Sequence, residues 1–495
     1  MRLPRPAPLP TSLAHTDPLA RLRIERGCVP RPRARAAFDM STWTRRLLLG
    51  VFALALLVCA YAPLLDAGWR GADRAVLAAL EAGRSPFPGS VLAAPWTHAS
   101  AWLWAEFAPE GGALVARLEH LVLLGAGAFF AAVFLTRLLL PWTGSVQARA
   151  AARALCVILL VHPLAVGAVA GLEARADLLA LALSAIAAAA FLKARQEHRF
   201  GYQGVAGVCA IAAGAAGELG WSLPVILGAA EFLSAHRYRG RRERLRTTTI
   251  TAASYGACVG IVPLLASWLV GAPAVPSGAG ALAELASPGG ALRVLVLFVE
   301  KLGVLVLPAN AHGAGLFGAG LAGLLILVGL QPALVAARSA PRLWGWLLVG
   351  WLVALFAASL PGAEVRVRAE DFGEARLLLG PALVLSAGLA VASTAVSGPR
   401  RVVLPGALAI GYALLAQSNA WCVRAAAQAC ASLEGELARA RAEHGPDALL
   451  LVLDPPRRVR GESAVGDELA LLDSGGEPRA HRSTARCASK AAARE

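Results

Sequence analysis

Between two apolar runs the chain reads Leu160-Val161-His162-Pro163, then Gly171-Leu172-Glu173-Ala174-Arg175-Ala176-Asp177-Leu178-Leu179. Ionisable groups at the end of a membrane span are costly unless they face a wet or protein-lined cavity. A His-Pro at one helix end followed by Arg-x-Asp at the next helix start therefore points to a polar site at one membrane face. More ionisable residues fall between apolar runs: Asp66, Asp73, Arg74, His98, Glu106 and Glu110, then Glu218, then Glu300, Lys301 and His312, then Glu364, Arg366, Arg368, Glu370, Asp371, Glu374 and Arg376. An Asp or Glu can act as general base on a hydroxyl, and Arg can hold a phosphate by paired hydrogen bonds. Together they describe transfer from a phosphate-linked donor. The plainer alternative is ion pairing within solvated loops. No His, Cys or carboxylate cluster has metal-ligand spacing, so neither a protein-bound metal nor a cofactor is expected.

The elements that must position these groups are membrane helices. Of 495 residues, 57% are hydrophobic and 16% charged, against about a quarter charged in soluble domains. Mean hydropathy is +0.59. Apolar runs of roughly 18 residues or more recur, each long enough to cross a bilayer. They do not alternate with a period of two, which excludes a β-barrel. The net charge of +15 comes from Arg in loops between spans, a positive-inside pattern and not a nucleic-acid-binding face. Lysine occurs only at 193, 301 and 490, and the Arg, Ala, Gly and Pro bias suggests a GC-rich bacterial genome.

Spans are expected near 46–65, 113–138, 152–171, 176–194, 203–219, 221–236, 249–270, 314–335, 343–360, 377–396 and 402–418. With a cytoplasmic amino terminus, the basic groups at 45/46, 149/153, 193/195, 237–246, 338/342 and 400/401 fall on one side. Segment 290–308 carries Arg293, Glu300 and Lys301 and reads as re-entrant or interfacial. Eleven spans follow, with the carboxyl terminus outside. Residues 1–39 read as a disordered Arg/Pro-rich leader, with Met40 a candidate true start. Residues 40–418 form the transmembrane domain, with a long first outer loop at 66–112 that carries Trp69, Trp96, Trp102 and Trp104. Residues 419–495 read as a small α+β extracytoplasmic tail, with a helix over Ser432 to Glu443 and a strand over 448–453. Cys59, Cys156, Cys209 and Cys258 read as core thiols, and one disulfide within Cys422, Cys430 and Cys487 is possible.

The stretch from His162-Pro163 to Gly171 and on through Arg175-Ala176-Asp177-Leu178-Leu179 resembles the His-Pro…Gly-Arg-x-Asp-Leu-Leu signature of the transmembrane and tetratricopeptide-repeat O-mannosyltransferase-like proteins. These are relatives of the protein O-mannosyltransferases. Glu218 with Pro224 and Glu231, Arg376-Leu377-Leu378-Leu379-Gly380-Pro381, and His120-Leu121-Val122 resemble three further family motifs, over about residues 46–400. The resemblance implies a GT-C-type bundle that takes a sugar from a polyprenyl-phosphate carrier and places it on a hydroxyl of a protein or glycan acceptor. It implies a base in the first outer loop, here Asp73, with Asp66 as its substitute. It gives the carrier phosphate to Arg175 and Arg376, orientation of the loop to His162 and Asp177, and a second acid to Glu218. The chain departs from the family at Ala72, where the leading acid of the pair stands, at Gly217, where a Lys is expected, and at Leu123, Leu377 and Leu379. No tetratricopeptide repeats follow. A bacterial inner-membrane glycosyltransferase is the leading reading. The departures motivate a second, a non-catalytic member that binds a lipid-linked sugar or a partner, and a transporter of a lipid-linked substrate is a third.

Overall fold

The computed structural model describes residues 42–81, 92, 95–100, 112–235, 240–270, 287–308, 315–360, 376–445, 458–459 and 462–463. The chain divides into two units, 1–52 and 53–495. The described part of the first is the opening of helix α1 (Thr42–Leu65), where Leu47, Leu48 and Val51 are exposed, as on a lipid-facing helix.

The second unit is a helical bundle. After α1 come α2 (Gly71–Glu81), α3 (Gly112–Thr143), α4 (Ser145–Leu160), α5 (Ala165–Ala170), α6 (Arg175–Glu197), α7 (Phe200–Ala216) and α8 (Leu223–Ala235). Then follow α9 (Arg241–Val270), α10 (Pro288–Val306), α11 (Gly315–Ser339), α12 (Pro341–Ser359), α13 (Leu379–Ser393) and α14 (Arg400–His444). A short antiparallel hairpin pairs β1 (Arg458–Val459) with β2 (Glu462–Ser463) against α14. Seven of the described helices are long and apolar enough to cross a membrane, and the protein is an all-α, multi-pass integral membrane protein.

The core explains how α3, α4, α6, α13 and α14 meet. Small side chains such as Ala128, Ala151, Ala165, Ala180, Ala382 and Ala413 alternate with Leu155, Leu178, Leu385 and Leu408 in one buried cluster. Without a hydrophobic force between helices in lipid, small residues let backbones approach and dispersion accumulate. A second cluster joins α6, α7, α8 and α9 around Phe191 and Tyr255, whose rings meet edge-on at 5.5 Å.

Several sequence expectations change in detail. The expected span 152–171 is not one helix. The chain leaves α-geometry at Val161, just ahead of His162-Pro163, and resumes as α5, because the residue before a proline is disfavoured in the α region. The expected boundary at 418/419 falls inside α14, which runs unbroken to His444 and absorbs the helix expected over 432–443. As the sequence suggests, segment 290–308 is not counted among the seven long apolar helices; it holds α10, Pro288–Val306. Cys422 and Cys430 are free thiols on one helix. Eight residues of rise separate them by about 12 Å, beyond the roughly 7 Å that a disulfide tolerates. The leader 1–39, the strand expected at 448–453, Cys487, Trp102 and Trp104 lie outside the described residues.

Candidate functional site

Asp66, Asp73, Arg74, Glu173, Arg175, Asp177 and Arg376 gather at one end of the bundle. They are brought there by the end of α1, helix α2, the start of α3 and the turn Leu172–Ala174 that opens α6. Glu106, Glu110, His312 and the ionisable residues of 364–374 lie outside the described residues. Val76, Ala116 and Leu172 pack together and dock α2 on this turn. Arg117 fastens α1: its Nη1 donates to the carbonyls of Leu64 (2.7 Å) and Ala67, and its Nη2 to Gly68 O (2.7 Å). Leu64 lies in the last turn of α1, where a cation is favoured, and Ala67 and Gly68 follow directly after the helix.

Asp73 is fully buried. Its Oδ2 accepts from the Arg70 backbone N–H (3.1 Å) and from Arg70 Nε (3.4 Å), and its Oδ1 accepts from the Leu172 N–H (2.8 Å). The first of these is half of a capping box, a third-residue carboxylate returned to the N-cap amide. The last ties α2 to the start of the α6 turn. Both oxygens of Asp73 are thus engaged and closed to solvent. Asp66, in contrast, is 61% exposed and meets Arg424 Nη2 of α14 at 3.0 Å.

Arg175 is fully buried, with Nη1 donating to Ser100 Oγ (2.6 Å) and Nη2 to Glu119 Oε2 (2.7 Å). The other Glu119 oxygen accepts from Trp96 Nε1 at 2.6 Å. Arg376 reaches back across the bundle: Nη1 donates to the Glu173 carbonyl (3.0 Å) and lies 3.9 Å from Asp177 Oδ2, and Nη2 lies 3.9 Å from Glu173 Oε2. Glu173 also faces Arg70 Nη2 at 3.9 Å. His120 Nδ1 stands 3.0 Å from Val169 O in the same region.

The structure therefore brings together Asp73, Arg175, Asp177 and Arg376, and adds Arg70, Arg117, Glu119 and Glu173. Glu119 is the important residue that the sequence reading passed over. A signal was present, since Arg117-Leu118-Glu119-His120 puts three ionisable groups into four residues at the start of an apolar helix. His162 lies elsewhere, buried against α14 with its ring edge-on to Tyr412 at 5.0 Å, and its Nδ1 accepts from the Leu164 N–H (3.3 Å). Nearby, Asn419 Nδ2 donates to Pro163 O and Pro308 O, each at 3.2 Å. His162 thus belongs to the anchoring of the Pro163 break and not to the ionic cluster. Glu218 opens a separate turn, Glu218–Ser222.

No family model matches the chain, and no curated protein or solved structure matches it. Among the described residues no group of His, Cys and carboxylates is placed to hold a metal ion.

Beside the charged end lies a cavity of about 280 Å³, almost wholly apolar. That is close to the lower end of ligand-pocket volumes, roughly 300 Å³. Leu219, Ala358 and Gly380 line it toward the charged end, and Leu139, Trp344 and Ala392 toward the opposite end. Gly380 and Ala392 are separated by about 18 Å along α13 at 1.5 Å per residue. Arg376 stands four residues ahead of Gly380, so the cavity ends next to the cationic cluster.

One glycine holds the cluster close. A methyl group at Gly171 would overlap Arg70 Nη2, and Arg70 is 2% exposed and cannot swing into solvent. Gly171→Ala should cost about 1–3 kcal/mol, the range for overpacking a filled site. Thermal unfolding in detergent measures this, and an unchanged midpoint would show that Arg70 can move aside.

Proposed function

We propose that the protein is a GT-C-type membrane glycosyltransferase that moves a sugar from a polyprenyl-phosphate carrier to a hydroxyl of a protein or glycan acceptor on the extracytoplasmic face. The observation that carries this reading is the pairing of an apolar cavity with an arginine-rich cluster near its end. An apolar cavity of this kind excludes water and suits a single hydrocarbon chain, and Arg376, 25% exposed, is the cluster arginine open to a headgroup phosphate. Arg175 is sealed behind Glu119 and Ser100 and acts by fixing the shape of the cluster.

In this reading eleven helical segments cross a bacterial inner membrane, with the amino terminus cytoplasmic and the carboxyl terminus periplasmic. Asp66, the exposed carboxylate, takes the proton of the acceptor hydroxyl. The hydroxyl oxygen attacks the anomeric carbon as the bond from that carbon to the phosphate oxygen breaks. The phosphate leaves with the electron pair, its charge met by Arg376, and the anomeric centre inverts. Asp73 positions α2 and the Leu172 turn around this event. A second reading is favoured by the closed setting of Asp73 and by Ala72: a non-catalytic subunit that binds the lipid-linked sugar.

The test is binding of a polyprenyl monophosphate to purified protein, together with transfer from a panel of radiolabelled polyprenyl-phosphate sugars. Ala387→Phe, which fills the cavity from α13, should weaken carrier binding by about tenfold or more, as lost burial of one to two kcal/mol requires. Arg376→Gln should weaken binding of the phosphate form. Wild-type protein that binds no polyprenyl phosphate sinks both readings, and binding without transfer from any donor leaves the second.

A further inference from the structure

Lys301 is one of only three lysines in the chain, and it is 3% exposed on α10. An ammonium inside an apolar bundle is expensive, and such groups are retained where they pair and serve a polar site. Lys301 lies within electrostatic reach of Glu218, the first residue of the turn Glu218–Ser222. The next residue of that turn, Leu219, lines the apolar cavity. On its other side Lys301 borders a small cleft with Ser359 and Leu360, which directly follow Ala358, another cavity-lining residue. Glu218 and Ser359, both neighbours of Lys301, thus each stand one residue from a residue that lines the apolar cavity.

A Cβ at Gly217 would sit 2.9 Å from the carbonyl oxygen of Ala176, so no side chain fits directly ahead of Glu218. Lys301 arrives from α10 instead. An ammonium is a compact point charge with three rotatable donors, which suits a phosphate whose orientation is set by its attached chain.

We propose that Lys301 is a second phosphate-binding residue for the carrier lipid, with Glu218 the counter-ion that the phosphate displaces. This rests on the carrier-binding reading above. Lys301 and Arg376 then hold the headgroup from two helices while the hydrocarbon occupies the cavity. Glu218 neutralises the ammonium otherwise, and its carboxylate sets a threshold that a polyprenol, with no charge, does not cross.

The experiment compares binding of a short-chain polyprenyl monophosphate and the matching polyprenol to the full chain in detergent. Lys301→Gln should weaken the monophosphate by about tenfold or more, the scale of one charge-assisted contact, and leave the polyprenol unchanged. Lys301→Arg should retain monophosphate binding to within about threefold. Glu218→Gln, which removes the competing anion, should tighten it. Lys301→Gln protein that binds both lipids like wild type, or loses both equally, overturns the proposal. Wild-type protein that does not distinguish the two lipids sinks the carrier-binding reading itself. Discrimination kept in Lys301→Gln but lost in Arg376→Gln sinks only the role of Lys301.

Discussion

Asp66→Asn should lower sugar transfer by about 10²–10⁴-fold, the range for loss of a general base, with little change in thermal stability. Its side chain is 61% exposed, and its partner Arg424, 25% exposed, keeps its contact with the Trp421 ring, so the amide removes a base with no carboxylate inside the bundle disturbed. Asp73→Asn should behave in the opposite way. Its two oxygens accept from three N–H groups inside the bundle. An amide nitrogen there would face a donor with a donor, costing about 1–3 kcal/mol of stability. Transfer by Asp73→Asn, measured on protein that remains folded, should fall less than by Asp66→Asn. If Asp73→Asn abolishes transfer with its unfolding midpoint intact, Asp73 is the base and Asp66 is not.

Arg175→Ala should destabilise the protein by about 3–5 kcal/mol, because it leaves one partner of a buried ion pair alone. Glu119 would keep only the Trp96 indole, and Ser100 would lose its donor. Double replacement, Arg175→Met with Glu119→Leu, should recover most of this loss, since apolar isosteres remove both charges together. Thermal unfolding of the two single variants and the double variant gives the coupling directly. Additive losses would show that Arg175 and Glu119 act separately and would break the account of Arg175 as the cluster's fixing point.

Much of the fold is legible from sequence because lipid imposes a simple rule: a spanning segment satisfies its backbone internally and shows apolar side chains outward. Seven described helices are long and apolar enough to cross a membrane, and α3, α9 and α11 follow apolar runs without ambiguity. The Pro163 break is harder to read, since one apolar run there contains two helices. The end of α14 is harder still. Its extension from about residue 419 is polar and partly charged, and composition alone cannot separate a continued helix from a new domain. At the site, Arg175, Asp177 and Arg376 were legible because a charge at a span end stands out against its neighbours. Their partners were not. Glu119 is paired to Arg175 across 56 positions of sequence and Arg376 to Glu173 across 203, and no local pattern encodes such pairings. The exposure of Asp66 and closure of Asp73 likewise depend on how α2 docks, through Val76, Ala116 and Leu172.

Helix α14 holds Tyr412 against His162 within the bundle, and, farther along the same uninterrupted helix, Arg424 against Asp66 and Glu434 against Arg74. Rotation per residue is about 100° in an α-helix. Inserting one residue between Tyr412 and Arg424 would therefore leave Tyr412 in place and turn both later contacts away from Asp66 and Arg74 together. Inserting a stretch that completes whole turns would restore their phase while lifting them along the axis. Length changes in this segment should consequently be far less tolerable than substitutions, and the spacing from 412 to 434 acts as a ruler that the carboxylate at 66 depends on.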